Sequence, residues 1–226
     1  MKKFFLLLIA LIFLLVSCST FGSGTENGEE KTAVETLVSD CLLALPSDPV
    51  TADDLEPVLP ESYTSYETYL PSYSAIRLRY LNAVCAVVNS AFSESFFSDE
   101  VTQAGETLSD EPSSYISGEA VIPDIESITR ESLSVLLVEY LSQHSEDLEA
   151  AFSESRTSFS MVKRSYSSLS IIGEEIILPD AEMLSVSDMS EIALDRFYSL
   201  LSSAEIELRN NPLYGDSVYR LFWSST

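Results

Sequence analysis

The chain has 226 residues and is strongly acidic: it carries 36 aspartates and glutamates against 12 lysines and arginines, a formal net charge of −24. A nucleic-acid backbone is bound by a basic surface, so this balance argues against a nucleic-acid partner. It argues equally against docking on anionic lipid headgroups by charge alone. The length is sufficient for one well-buried hydrophobic core.

Residues 1–17 have the pattern of an export signal. Two lysines at positions 2 and 3 precede an uninterrupted apolar run, Phe4–Val16. As a helix this run would reach roughly 20 Å, which falls short of the roughly 30 Å hydrocarbon core of a bilayer. The segment therefore fits a signal peptide better than a permanent membrane span.

The apolar run ends in the sequence LVSC, residues 15–18, which resembles the lipobox of exported bacterial lipoproteins. The resemblance implies cleavage before Cys18 and attachment of lipid, including palmitate, to that cysteine. Several acyl chains on one residue form a stable membrane anchor. Because Ser19 rather than an acid follows the cysteine, we expect an address at the outer membrane of the bacterial cell envelope. The alternative is an ordinary secretory signal in which the cysteine is incidental.

A polar segment follows the cysteine. From residue 19 it reads STFGSGTENGEEK, which consists mostly of Gly, Ser, Thr and Glu. Such a segment buries too little apolar surface to offset the entropy that ordering costs. We therefore expect a flexible tether over residues 18–32 and a folded helical domain over residues 33–226.

The folded part is predicted to be all-α. The whole chain has only 7 glycines, and apolar residues recur with a 3.6-residue period over long stretches. This pattern predicts a single-domain multi-helix bundle. Tyr73–Phe97 carries apolar residues on two faces, so we expect a central buried helix there, followed by a short helix capped at Ser98. Further helices are predicted at Ser127–Leu141, Ser145–Leu169, Ser187–Arg209 and from Asn211 onward, with loops at Gly105–Pro123 and Ile171–Leu184.

Two cysteines, Cys41 and Cys85, lie beyond the signal segment. Export permits a disulfide between them. Each nevertheless lies within an apolar helical pattern, where cysteine behaves as a small hydrophobic residue. We expect two buried free thiols, with the disulfide as the alternative. Because the chain contains no CxxC motif and no Cys/His cluster, no metal site is predicted.

The sequence contains no recognisable catalytic constellation. His144 is the only histidine, and it lies beside a predicted helix boundary, where a solvated or capping role is expected. No Gly-x-Ser-x-Gly elbow, phosphate-binding loop, dinucleotide fingerprint or EF-hand loop occurs. We therefore predict no catalytic residue and no cofactor. A series of tyrosines either packs in the core, which is favoured, or lines a ligand groove: Tyr63, Tyr66, Tyr69, Tyr73 and Tyr80.

The last long predicted helix reads MSEIALDRFYSLLSSAEIELRNNP, residues 189–212. It resembles the C-terminal helix of an exported bacterial family known as a domain of unknown function, family 4197. The family is helical and has no known reaction, so the resemblance supports the fold and leaves the function open. Upstream, residues 58–70 and the segment LNAVCA around Asn82 resemble the family less fully. The matching motif residues are Leu194-Asp195, Phe197-Tyr198, Glu205, Leu208-Arg209 and Asn211-Pro212.

Glu205 and Arg209 are spaced i,i+4 in the favourable order for a helical ion pair. Asp195 lies ten residues before Glu205, just under three helical turns, which places the two acids on adjoining faces. One interpretation is a polar groove formed by Asp195, Glu205 and Arg209. The other, which we favour, is a helix-stabilising pair of Glu205 and Arg209 together with a partly buried acid that pins another helix. In a stronger form of this interpretation, Arg209 reaches across a helix interface to an acid or a backbone carbonyl.

These features together predict a membrane-anchored lipoprotein that is not an enzyme. Its helical domain is expected to bind another component of the envelope, in particular a protein, and the membrane is reached through the lipid on Cys18. One alternative is a binder of apolar small molecules or lipids, which needs an inter-helix cavity of roughly 300 Å³ or more. The other alternative is an envelope hydrolase.

Overall fold

The structure, a computed structural model, describes residues 23–169, 177–210 and 222. All regular secondary structure within these ranges is helical, so the predicted all-α fold is confirmed. The predicted signal peptide, Cys18 and the last helix expected from Asn211 lie outside the described residues.

The helices of the described ranges are numbered here in chain order, and a 3-10 turn at Glu56–Val58 follows the second of them. They are α1 (Ser23–Leu43), α2 (Ala52–Leu55), α3 (Glu61–Thr64), α4 (Tyr73–Ala91), α5 (Ser95–Leu108), α6 (Ser113–Ile116), α7 (Ile122–Gln143), α8 (Ser145–Leu169) and α9 (Val186–Asn210).

Helix α1 begins within the segment that was expected to be a tether. Residues 23–32 are helical, and the Lys31 ammonium donates a hydrogen bond of 2.7 Å to Asp110. From Ala33 to Cys41 the helix buries an apolar face. A packed helix extends toward its N-terminus at little further cost, since each added residue adds a hydrogen bond to an existing nucleus. The helix therefore starts at Ser23.

The chain divides into two compact units, whereas the sequence pattern predicted one domain. The first unit comprises the described residues of the ranges Met1–Ala44, Val101–Ile125 and Ser202–Thr226. The second unit comprises Leu45–Glu100 and Glu126–Leu201. Each unit is thus assembled from segments that are distant in sequence.

In the first unit, α1 and α5 approach each other closely at a glycine. A Cβ atom placed on Gly105 would lie 3.0 Å from Cγ1 of Val38. Val38 is buried, as are its neighbours one turn away, Val34 and Cys41. The absence of a side chain at residue 105 therefore allows the two helices to pack at this distance.

In the second unit, α4 ends earlier than expected. The amides of Phe92, Ser93 and Glu94 bond to carbonyls three residues back, which tightens the backbone and ends the helix. Helix α5 then starts at Ser95 and not near Ser98. The phenylalanines on either side of this turn pack together, with the Phe92 and Phe97 ring centroids 4.6 Å apart.

Helix α4 buries residues of both predicted apolar faces: Ile76, Tyr80 and Ala91 of one, and Leu81, Cys85 and Val88 of the other. Tyr73, Ile76 and Tyr80 are buried, but the Leu78 side chain between them is 51% exposed. The face with Tyr80 packs on α8: the rings of Tyr80 and Phe152 lie 5.7 Å apart.

The region from Gly105 to Pro123, expected to be a loop, contains more helix than predicted. Helix α5 continues to Leu108, the short helix α6 follows, and α7 begins at Ile122. Proline at position 123 lies in the first turn of α7, where its missing N–H is not needed. The predicted helix start at Ser127 is therefore five residues too late.

Candidate functional site

Glu205, in the first unit, belongs to α9, and its buried carboxylate lies at the N-terminus of another helix, α7. Its side chain is 2% exposed. It accepts a hydrogen bond of 2.8 Å from the amide of Val121 and one of 3.1 Å from the amide of Ile122. These amides belong to the N-terminus of α7, where helical N–H groups lack partners and the helix dipole favours negative charge. Glu205 therefore caps α7 from a different helix.

Arg209 binds Glu205 and two backbone carbonyls. Its Nε lies 2.8 Å from Oε1 of Glu205. Its Nη1 donates to the carbonyl of Tyr115 at 3.0 Å, and its Nη2 donates to that of Glu119 at 2.9 Å. The guanidinium is 4.7 Å from the ring centroid of Phe222, and the side chain is only 16% exposed. This is the fork geometry in which arginine satisfies several acceptors at once.

Glu205 and Arg209 together hold the connection between α6 and α7. Gly118, within that connection, has a φ of +118°, a conformation open to glycine because it lacks a Cβ. The Tyr115 hydroxyl adds a hydrogen bond of 2.8 Å to Asp124. The polar atoms of Glu205 and Arg209 are thus engaged by the protein itself, which is the pattern of a structural ion pair. Their backbone partners could not be read from the i,i+4 spacing alone.

Asp195 has a different partner. It lies in the second unit, its side chain is 56% exposed, and it pairs with Arg130. Arg130 also bonds Glu126 at 2.5 Å, and its guanidinium lies 5.9 Å from the ring centroid of Tyr198. Of the three residues singled out from the sequence, the structure therefore joins Glu205 with Arg209 and places Asp195 in a separate network.

A polar cleft of about 440 Å³ lies in the first unit. Lys31, one of its lining residues, bonds Asp110 across 2.7 Å. The sequence did not indicate this cleft, because residues 30–31 were predicted to be a tether and residues 109–113 a loop. Its lining residues are Glu30, Lys31, Ser109, Asp110, Glu111, Pro112 and Ser113. This charged lining suits polar ligands and not the apolar ligands that a lipid-binding cavity would take.

A segment without regular secondary structure, Ile177–Leu184, is bound to the second unit by three hydroxyl groups; we call it the strap. The Tyr66 hydroxyl donates to the carbonyl of Pro179 at 2.6 Å. The amide of Glu182 donates to the Ser62 hydroxyl at 3.2 Å, and that of Leu184 donates to the Tyr80 hydroxyl at 2.9 Å. The sequence pattern predicted a connecting loop here, without these contacts.

The two tyrosine hydroxyls that hold the strap belong to a packed aromatic cluster. The rings of Tyr66 and Phe159 stack with centroids 4.3 Å apart. Tyr63 stacks on Tyr80 at 5.3 Å and meets Phe159 edge-on at 4.9 Å. Burial raises the pKa of Tyr80 to about 12, so its hydroxyl keeps its proton at neutral pH. Four members of the tyrosine series, Tyr63, Tyr66, Tyr73 and Tyr80, are thus buried in the core, and two of them bind backbone groups of the strap.

His144 makes local contacts. Its Nδ1 lies 2.9 Å from the carbonyl oxygen of Tyr140, one turn earlier. Its ring stacks on the Tyr140 ring with centroids 4.2 Å apart. The Tyr140 hydroxyl in turn lies 2.9 Å from the Ser90 hydroxyl. These contacts attach the end of α7 to α4.

Cys41 and Cys85 are both buried and free, as the apolar patterns around them predicted. Burial, with a contribution from the negative charge of Glu205, raises the pKa of the Cys41 thiol to about 12. Burial raises the pKa of the Cys85 thiol to about 11. Both groups are therefore protonated, and poor nucleophiles, at neutral pH.

We expect neither thiol to react in the folded protein at pH 8. A Cys18→Ala chain, whose only cysteines are these two, should release no thionitrobenzoate from Ellman's reagent until urea unfolds it, and then two equivalents. The raised pKa values also mean that the folded state keeps protons which the unfolded chain loses above pH 9.0. This contribution to stability is complete below pH 9.0 and declines as the pH rises toward 11 to 12. Reaction before urea is added would contradict the burial of the thiols.

Among the described residues, no group of three or more His, Cys, Asp and Glu side chains is arranged to hold a metal ion. Within the same ranges no helix has the length and apolar character needed to cross a membrane. No protein-family model matches the chain, and no curated protein or solved structure matches it. The lipobox and the likeness to family 4197 therefore remain predictions from the sequence motifs.

Proposed function

We propose that the protein is a lipid-anchored component of the bacterial cell envelope whose helical part binds a protein partner without catalysing a reaction. The observation that carries the proposal is the way the apolar run ends: Phe4–Val16 leads directly into Ser17 and Cys18, followed by a polar segment. This is the order that lipid attachment needs, and cysteine is rare in the chain, with 3 in 226 residues.

The distance between the anchor and the first helix supports a membrane-proximal position. Only residues 19–22 separate Cys18 from the start of α1 at Ser23. Five Cα–Cα steps span at most about 18 Å even when fully extended. A lipid on Cys18 would therefore hold the N-terminus of α1 close to the bilayer surface.

Binding is favoured over catalysis by the way the polar groups are used. The buried carboxylate of Glu205 and the guanidinium of Arg209 are engaged by backbone groups. The ring of His144 bonds the carbonyl of Tyr140 in the last turn of α7. The cleft at Lys31 is charged, which gives no support to an apolar ligand. These are the contacts of residues that maintain a fold, so we place the function in recognition by the surface.

The anchor is tested by replacing Cys18 with alanine. Cells expressing the parent chain and fed an alkyne-tagged palmitate should yield a labelled protein that starts at residue 18. The Cys18→Ala chain should carry no label and keep residues 1–17, because the acceptor thiol is absent. Cys41→Ala is the matched control: it removes a buried cysteine and should leave both label and processing unchanged. Equal labelling of the Cys18→Ala chain would refute the lipid anchor.

A further inference from the structure

The strap is held in the second unit as a bound peptide would be. Its two leucines, Leu178 and Leu184, are 4% and 1% exposed, whereas Pro179, Asp180 and Glu182 between them are exposed. The buried side chains thus serve as two anchors six residues apart, with solvent-facing residues between them. Extended peptides that dock in a groove show this combination of spaced apolar anchors and main-chain hydrogen bonds.

We call the surface that contacts the strap, which includes Ser62, Tyr66 and Tyr80, the groove; its hydroxyl contacts make few demands on the sequence of the strap. The three hydroxyl contacts, from Ser62, Tyr66 and Tyr80, all go to backbone atoms of the strap. Any extended segment presents the same amides and carbonyls. Sequence preference must therefore come from the two leucine positions and from one charge pair: Lys163 bonds Asp180 at 2.7 Å.

The main chain of the strap is bound by side-chain hydroxyls of the second unit. Among the described residues, no hydrogen bond joins the main chain of Ile177–Leu184 to the main chain of another element. The Asp180 side chain in the Lys163 pair is 92% exposed, so solvent screens that attraction. A segment with few main-chain bonds and partly exposed contacts opens at lower free energy than the helices around it. By contrast, the stacked rings beneath it, such as Tyr66 on Phe159, belong to the packed core.

We propose that the strap occupies a peptide-binding groove of the second unit and can be displaced by an extended segment of a partner protein. The displacing segment has the chemistry of the strap itself: a leucine or similar aliphatic residue followed by proline, an acidic residue next, and a second aliphatic residue six positions after the first. The inference rests on the proposed function, for which it names the kind of partner and the surface that receives it.

Binding in trans tests the groove. A fluorescein-labelled peptide ILPDAEMLS, the sequence of residues 177–185, is titrated into the full chain in detergent and followed by anisotropy. The Leu178→Ala/Leu184→Ala chain, with weakened strap anchors and an intact groove, should bind the peptide at least tenfold more tightly than the parent chain. A peptide with aspartate at both leucine positions should not bind.

Groove variants distinguish specific from unspecific binding. In the Leu178→Ala/Leu184→Ala background, adding Tyr66→Phe and Tyr80→Phe should weaken the peptide at least tenfold, because both hydroxyl contacts are lost. Adding Tyr63→Phe is the matched control: it removes a hydroxyl of the same cluster that makes no bond to the strap, and the affinity should stay within twofold. A folded Leu178→Ala/Leu184→Ala chain that binds no better than the parent chain would overturn the proposal.

Hydrogen exchange provides a second measurement should the leucine variant fail to fold. In a Tyr66→Phe/Tyr80→Phe chain with its native strap, the Leu184 amide should exchange at least tenfold faster than in the parent chain, while amides in the middle of α4 keep their rates. Equal rates at Leu184 would show that the strap is not held by these hydroxyls. Neither measurement depends on Cys18. A negative result for peptide binding therefore does not affect the palmitate labelling, and a negative labelling result does not affect the peptide binding.

Discussion

Replacing Glu205 with alanine is expected to lower the free energy of unfolding by about 3–5 kcal/mol. The substitution removes a buried carboxylate that accepts the amides of Val121 and Ile122 and pairs with Arg209. Two amides at the start of α7 would lose their acceptor, and each such loss costs roughly 1–3 kcal/mol. The guanidinium of Arg209 would lose its counter-charge while remaining mostly buried.

The control for this substitution is Glu207→Ala, two residues along the same helix. Glu207 is exposed, so its removal should change the free energy of unfolding by no more than about 0.5 kcal/mol. Both variants, as full chains in detergent, are compared by urea unfolding with circular dichroism as the signal. A Glu205→Ala midpoint equal to that of Glu207→Ala would show that the carboxylate does not stabilise α7.

Arg209→Ala is measured by the same urea unfolding. Arg209→Ala should cost more than about 1 kcal/mol, because the carbonyls of Tyr115 and Glu119 lose their donor. The double variant should cost less than the sum of the two single variants, since each single change already breaks the 2.8 Å contact between Arg209 and Glu205. Additive costs would mean that the two side chains act independently.

The helical class could be predicted from the sequence, but several helix boundaries could not. The 3.6-residue period and the scarcity of glycine indicate helices directly. The end of α4 is decided by a short run of i→i+3 hydrogen bonds at Phe92–Glu94, which no apolar pattern reveals. The N-terminal part of α1 was not predicted as helix: its Lys31 is held by Asp110, 79 residues away, and local composition contains no trace of that contact.

The polar sites, too, could be predicted from the sequence only in part. Spacing on one helix correctly places Glu205 next to Arg209, since i,i+4 neighbours share a face. The amides that Glu205 caps are 84 and 83 residues distant, so tertiary packing alone brings them there. The strap is a further example: Tyr66 and Pro179 are 113 residues apart, and nothing in the local sequence of either indicates that they meet.

Asn89 should prove as important to the second unit as Glu205 is to the first, although no motif draws attention to it. Its Oδ1 accepts the amide of Val50 and its Nδ2 donates to the carbonyl of the same residue, both at 2.9 Å. Asn89 is 7% exposed and Val50 is 2% exposed. The amide side chain therefore completes the hydrogen bonding of a buried residue in the segment that leads into α2.

We expect Asn89→Ala to lower the free energy of unfolding by about 2–6 kcal/mol, because it leaves a buried N–H and a buried C=O without partners at roughly 1–3 kcal/mol each. Asn89→Asp should also destabilise, since a carboxylate can accept the Val50 amide but cannot donate to the Val50 carbonyl. The matched control is Asn82→Ala on the same helix, where the side chain is exposed and the change should stay within about 0.5 kcal/mol. Urea unfolding of the three full-length variants gives the comparison. Equal midpoints for Asn89→Ala and Asn82→Ala would mean that water replaces the lost amide at Val50, and the segment before α2 would then be less tightly buried than its contacts indicate.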